Sequence, residues 1–370
     1  MSSDKKLILV LGATGAQGRA VVRALLKDQP DGSPSPYAVR ALTRNPAGTR
    51  AQELAALGVE LFQGETSVKR FTLCRFDDFE AVKRALDGCY GAWINTDGFS
   101  VGEQIEVFCG IRIFELAKQT PSLRHYVWSS LDYSLKKGGY DNKYQVDHFN
   151  GKGRVADWMT AQESTVSDTG LSWSVVTTGP YMEMLTIPMF GPLNRRQDGT
   201  FVFASSIADG HVNMIALKDL GYFARYTFDH RAETSGKNLE VASDIVGWNY
   251  LVDTFKKVTG LPAVYKRQSM DEWWENFDPK FIDMPIANEL KEGKSARANF
   301  TAFWASWRDD ILKRDMDWIR SIHPGVRSVE MWMNENDFAG QLTGARNLLK
   351  NGEDGKSRML KMNKEVTEKL

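Results

Sequence analysis

Along the first half of the chain, short apolar runs alternate with stretches whose apolar positions repeat at helical spacing. Leu7 to Leu11 (LILVL) is a continuous apolar run, the pattern of a parallel strand covered on both faces. In AVVRALLK, Ala20, Val21, Leu25 and Leu26 fall at helical spacing, so the opening unit predicts strand, glycine loop and helix. QPDGSPSP, from Gln29 to Pro36, is a loop by its Pro, Gly and Ser content, and YAVRALT predicts the second strand. The alternation continues with AQELAAL (helix), VELFQ (strand), DDFEAVKRAL (helix), YGAWINT (strand), QIEVFCGIRIFELAKQ (helix) and HYVWSSL (strand). A helix from Gly153 to Asp168 and a strand in SWSVVTTG follow. The fold class this predicts is α/β, with a doubly wound parallel Rossmann sheet.

After Gly179 the rhythm breaks, and PYMEMLTIPMFGPLNRRQDGTFVFA predicts irregular structure plus a hairpin, where a substrate lobe begins. ALKDLGYFARYTFD and DIVGWNYLVDTFKKVTG predict helices, with KNLEVAS between them as a late strand returning to the sheet. Beyond Pro262 the chain is rich in aromatics: Trp273, Trp274, Phe277, Phe303, Trp304, Trp307, Trp318 and Trp332. From Asn347 the tail is polar and Lys-rich, a solvated helix or disordered segment. The predicted organisation is a Rossmann domain over 1–180, with 212–245 returning to it, and a smaller, mainly C-terminal α+β lobe over 181–211 and 246–345. A polar tail occupies 346–370.

The 47 Lys and Arg residues balance 47 Asp and Glu, so no whole-protein field favours nucleic acid or an acidic membrane. Neither is expected as a direct partner. Cys74, Cys89 and Cys109 form no CxxC pair and have no His at metal-ligand spacing. No metal site is expected, and a reducing compartment suits the chain. The N-terminus passes from a few polar residues straight into the first strand, without the apolar stretch and cleavage site of a signal peptide. No later segment reaches the roughly 20 apolar residues of a membrane span. The expected location is cytoplasmic.

GATGAQG, between the first strand and helix, has the context of a dinucleotide-binding loop. Gly12 permits the tight turn, Gly15 lets backbone amides approach a pyrophosphate, and Gly18 lets helix pack closely on strand. The phosphates then face the positive end of the helix. An NAD site usually places an acidic residue after the second strand, but here Thr43, Arg44 and Asn45 stand there. A guanidinium can fork onto a 2′-phosphate and stack on adenine. The expected cofactor is NADP(H).

GATGAQG, then ALTRNP, HFNGKGRVADWM and GPYMEML in that order, resemble the NmrA-like family of atypical short-chain dehydrogenase/reductases, over residues 5 to 345. The resemblance implies an NADP(H)-preferring Rossmann domain with the smaller lobe closing over the nicotinamide. It implies cofactor contacts from Gly12, Thr14, Gly15, Ala16, Gln17 and Gly18, and from Arg44 at the 2′-phosphate. Further contacts would come from Thr96, Asp97, Gly98, Lys152, Tyr181, Met182, Glu183 and Met184. GETSVKRFTLCRFDDF, between Gly64 and Phe79, departs from relatives that turn here through acidic residues.

Most short-chain dehydrogenases place a Tyr four residues before a Lys on one helix face, where Lys lowers the phenol's pKa and holds the ribose. Here the pair is His148 and Lys152, with Tyr144 a further turn upstream. Two readings stand. His148 titrates near neutrality and acts as the acid in reducing a C=N, C=C or C=O group, or it bonds locally in a protein that binds NADP(H) without turnover. Ser129 and Ser130, at the end of the fifth strand, and Tyr133 just beyond are further catalytic candidates, with Lys152 the foremost. DEWWENF and FTAFWASW either line a pocket for a flat hydrophobic substrate or form core, since Phe300, Trp304 and Trp307 sit at helical spacing.

Two functions compete. One is an NADP(H)-dependent reductase or cyclase-type enzyme acting on a bulky hydrophobic metabolite, of the kind found in secondary metabolism. The other is a non-catalytic redox sensor that binds a regulatory protein. The first needs an open apolar cavity at the nicotinamide, walled by segments such as Tyr181 to Pro192 and the WW stretch.

Overall fold

The computed structural model describes residues 5–63, 76–287, 291–342 and 361–370. Six strands of its central sheet follow the predicted runs: β1 (Lys6–Leu11), β2 (Tyr37–Thr43), β3 (Glu60–Gln63), β4 (Gly91–Ile94), β5 (His125–Leu131) and β6 (Ser172–Thr178). All pair in parallel, and β1 lies between β2 and β4, with Ile8 opposite Val39 on one side and Gly91 on the other. A seventh strand, Lys237–Glu240, joins beside β6, as KNLEVAS predicted.

Alternation along each strand sorts its side chains to two faces. Ile8 and Val10 face α1 (Ala16–Leu26) and α2 (Thr49–Ala56), while Leu9 and Leu11 face α3 (Phe79–Leu86) and α4 (Gly98–Lys118). After β5 come a short turn of helix, α5 (Ser134–Lys137), and then α6 (Asp147–Met159), which packs beside α4. Helices thus cover both faces, the doubly wound arrangement read from the pattern.

Helix α6 begins six residues earlier than the predicted Gly153 and ends nine before Asp168. Gly151 and Gly153 lower helix propensity, but tertiary packing needs them. A Cβ on Gly151 would lie 2.7 Å from Glu106 Oε2, and one on Gly153 2.5 Å from Tyr133 Cα. At the other end the chain leaves the helix at Thr160, and Thr165 N–H bonds to Leu171 carbonyl at 2.9 Å.

Beyond β6 the chain builds a second, smaller region. β7 (Asn194–Arg195) and β8 (Phe201–Ser205) form the expected hairpin, and β9 (Val212–Met214) precedes α7 (Leu217–Asp229) and α8 (Arg231–Thr234). The seventh sheet strand is therefore β10, and β11 (Asp244–Val246) pairs with β9. Next come α9 (Trp248–Thr259), β12 (Ala263–Arg267) parallel to β8, α10 (Met270–Glu275) and α11 (Pro279–Ile282). β13 (Pro285–Ala287), β14 (Glu292–Ser295), α12 (Ala296–Arg308) and, after it, α13 (Met316–Ile322) and α14 (Val329–Glu335) follow, of which α13 returns to the central sheet with Ile319 packed in the core shared by α1 and α7.

Most of the Trp-rich sequence is core. Trp248, Trp273, Trp274, Trp304 and Trp307 are fully buried, and the rings of Trp273 and Trp304 meet edge to face at 5.3 Å. Residues 361–370 dock on this core rather than standing in solvent as expected for the tail. Met362 bridges to Phe277, Leu370 is buried, and Arg196 Nη2 donates to the Leu370 carbonyl at 2.6 Å. Among the described residues no helix is long and apolar enough to cross a membrane.

Candidate functional site

The cleft lies over the point where strand order reverses, between β1 and β4, and begins at the glycine loop. Gly12 has φ +82°, a conformation that L side chains avoid, and Gly15 N–H closes the turn onto its carbonyl at 2.9 Å. A Cβ on Gly18 would sit 2.2 Å from that same carbonyl oxygen. Gly18 therefore sets helix packing and does not itself line the cleft. Helix α1 has no side-chain cap and no acidic residue in its first turn, so its leading amides are available to an anion.

The cavity has a volume of about 510 Å³. Gly12, Thr14, Gly15, Ala16 and Gln17 line one end, with Thr43, Arg44 and Phe76 beside them. Gln17 is held from beneath by the Ser129 hydroxyl, which donates to its Oε1 at 2.7 Å. Arg50, which the sequence did not single out, is buried in α2 and directs Nη1 toward the Thr14 carbonyl at 3.4 Å. Residues 64–75 of the divergent stretch lie outside the described residues.

At mid-cavity, Thr96, Asp97 and Gly98 leave β4 and start α4, with Asp97 accepting the Phe99 N–H at 3.1 Å as helix cap. Lys152 reaches across from α6. Its ammonium donates to the Thr96 carbonyl at 2.8 Å, Thr96 Oγ1 at 3.1 Å and Asn95 Oδ1 at 3.2 Å. It also pairs with Glu106 Oε1 at 3.1 Å, and the Thr96 hydroxyl donates to that same oxygen at 2.7 Å. Glu106 is a fully buried carboxylate that sequence reasoning missed, because within the helical run QIEVFCGIRIFELAKQ nothing marks it out from an ordinary helix-face acid.

One turn before Lys152, His148 stands where the cavity widens into an aromatic chamber. Its ring lies 4.6 Å from Phe99, 4.9 Å from Phe149 and 5.5 Å from Phe300, centroid to centroid. Burial, with the help of the Lys152 charge, pushes its pKa down to about 3. The expectation that His148 titrates near neutrality is thus corrected: in this setting it stays neutral. Tyr181 and Met184 line the chamber with Ile187, Phe190, Phe281, Met284, Ile286 and Phe303. Burial, with Glu183 and Asp97 nearby, pushes the Tyr181 phenol well above its ordinary range.

Several predicted site residues lie elsewhere. Along β5 the alternation turns Leu131 to the cavity, while the Ser130 hydroxyl donates to the Leu131 carbonyl and does not line this cavity. Tyr133 packs against Arg154, whose guanidinium carbon is 5.2 Å from its ring centroid, and Tyr140 outside the cavity. Tyr144 donates its hydroxyl to Asp309 at 2.8 Å. Met182 is core, and Glu183 accepts the Leu217 N–H at 3.1 Å and the Trp332 indole N–H at 3.3 Å. Trp273 and Trp274 do not reach the cavity, because both indoles pack into the core behind it. No cluster of three or more metal-ligating side chains occurs among the described residues.

Sheet order, glycine turn and cleft position together define a doubly wound Rossmann-type protein whose cleft opens into a second, apolar compartment. The chain belongs to the NmrA-like family, whose pattern matches residues 4–330. It is 34% identical over 303 residues to an NmrA-like family domain-containing oxidoreductase of Penicillium ochrochloron, covering 75% of this chain and 80% of that one. Its fold is similar to that of NmrA, a negative transcriptional regulator solved in complex with NADP (TM-score 0.66, 20% identity, 90% of this chain and 95% of that chain). It is also similar to the NADPH-dependent quinone oxidoreductase QOR2 of Escherichia coli complexed with NADPH (TM-score 0.62, 18% identity, 90% and 100%).

Proposed function

We propose that this protein is an NADP(H)-dependent reductase acting on a bulky, hydrophobic small molecule at a C=N, C=C or C=O group. The observation that carries this reading is one continuous cavity running from the glycine loop and Arg44, past Lys152, into the aromatic chamber around His148. The oxidoreductase name of the Penicillium relative and the nicotinamide cofactors of the two structural neighbours support it.

In this reading the amides after Gly12 hold the pyrophosphate at the start of α1. Arg44 meets the 2′-phosphate. Lys152, pinned by Thr96 and Glu106, presents its edge to the ribose. Tyr181 and Met184 would stand against the nicotinamide, and Phe281, Met284, Ile286, Phe300 and Phe303 would give the substrate an apolar wall. When bound, a reduced nicotinamide would supply a hydride, with its electron pair, to the acceptor carbon, and solvent would supply the proton. The buried thiols Cys89 and Cys109 suit a reducing, cytoplasmic setting.

A sensor that binds NADP(H) and a regulatory protein draws support from one feature: neither His148 nor Tyr181 ionises near neutral pH. The test is calorimetric titration with NADP⁺ and NAD⁺, followed by NADPH oxidation with a panel of aromatic imines, enones and ketones. Turnover on any of them supports the reductase. Tight NADP(H) binding with no turnover across the panel would overturn it in favour of the sensor.

A further inference from the structure

Asn299 comes from α12, far along the chain from His148, yet both ends of its fully buried amide meet α6. Its Oδ1 accepts the backbone N–H of Asp147 at 2.9 Å, and its Nδ2 lies 3.0 Å from His148 Nδ1. The first contact decides the second. A backbone N–H only donates, so the amide oxygen must face Asp147 and the NH₂ must face the imidazole. His148 Nδ1 therefore carries a lone pair, and the proton of the neutral ring sits on Nε2.

His148 Nε2 has no hydrogen-bond partner among the described residues, and the ring lines the chamber. Around it, Phe99 from α4, Phe149 from α6 and Phe300 and Phe303 from α12 carry no charge. The charged group that acts on the ring is Lys152, on its own helix. We propose that Asn299 is a positioning residue that holds His148 in its Nε2–H form, so that the chamber offers a neutral hydrogen-bond donor to a lone pair on the substrate's reacting group. This rests on the reductase reading and narrows it. The acceptor is a ketone, an enone or a neutral imine, each of which has such a lone pair, and not an iminium cation, which has none. His148 binds and polarises that group and gives up no proton.

The experiment is ¹⁵N NMR of the full chain labelled at histidine. The sequence has 5 histidines, and the His148 resonances are assigned by their loss in His148→Gln. The wild type is expected to show a neutral ring protonated at Nε2 that does not titrate between about pH 5 and 8. Asn299→Asp keeps an acceptor for the Asp147 N–H but turns a carboxylate toward Nδ1. It should move the proton to Nδ1 and bring the titration up into that window. An Nδ1–H ring in the wild type, a wild-type titration near neutrality, or an Asn299→Asp spectrum matching the wild type would each overturn the proposal. If Asn299→Asp does not fold, the wild-type spectrum alone decides. The spectrum needs no turnover, so an Nε2–H ring in a protein that reduces nothing would sink the reductase reading and leave the tautomer assignment standing.

Discussion

The two ends of the cavity are built in different ways. At the cofactor end, shape comes from backbone: a left-handed Gly12, an amide turn and a helix start, all within a single stretch of seven residues. At the chamber end, shape comes from side chains delivered by α4, α6, the segment after β6 and α12, which are far apart in the chain. A backbone-built site tolerates little change but accepts a constant ligand; a site built from side chains can change its ligand by exchanging them. Lys152 and His148, one turn apart on α6, sit at the joint between the two.

The largest test of this contrast is acid. His125, buried in the sheet beside Ser172 and Ser174, and His148, in the chamber, both have pKa values pushed down to about 3, chiefly by burial. The unfolded chain takes up these protons near pH 6.5 and the folded chain does not. Their contribution to stability is therefore complete above that pH and is lost as pH falls toward 3. Between about pH 6.5 and 4.5 the pair should cost up to about 5 kcal/mol, read by urea denaturation. His148→Phe should remove about half of that dependence; a slope identical to the wild type's would mean that His148 ionises in the fold.

Next in size is the joint itself. Lys152→Met leaves the Glu106 carboxylate buried without its cation and should cost about 3–5 kcal/mol. Adding Glu106→Gln should recover most of it, and a double variant no more stable than the single would show that the pair is not what holds α6 to α4. At the cofactor end, Arg44→Ala should weaken NADP(H) by ~10- to 100-fold in calorimetry with little effect on NAD(H). Equal losses would remove Arg44 from the 2′-phosphate. Smallest is Phe300→Ala, a half-exposed ring of the chamber wall. It should raise KM for a hydrophobic substrate by about fivefold, near 1 kcal/mol of lost contact, and leave NADP(H) affinity unchanged.

The same contrast explains what the sequence made legible. The sheet, the late return of β10 and the glycine loop were readable because periodicity and a contiguous motif encode them locally. The start of α6 was not, because Gly151 and Gly153 lower helix propensity and the groups that require them, Glu106 and the Tyr133 backbone, come from other elements. Ser130 and Tyr133 looked catalytic by position, but side-chain direction at the end of β5 sends them away from the cleft. Phe99, Glu106 and Asn299 carry no local signal at all. Each acquires its part only when the fold brings α4 and α12 against α6. The WW stretch was ambiguous between pocket and core, and the packing of Trp273 on Trp304 settles it as core.

The buried ion pair between Asp132, just past β5, and Arg314, after α12, bears on how far this chain is divisible. Both side chains are fully buried, and the guanidinium also donates to the carbonyls of Val241 and Thr178. Burial acts to raise the Asp132 pKa, but the charges of Arg314 and Lys137 hold it below the ordinary carboxylate range. A fragment ending before Arg314 would keep that carboxylate with Lys137 alone and strip two sheet-end carbonyls of their donor. The nucleotide half therefore does not behave as a cassette. Grafting a different chamber onto it requires the incoming segment to bring its own arginine to this spot, or Asp132 to be neutralised first.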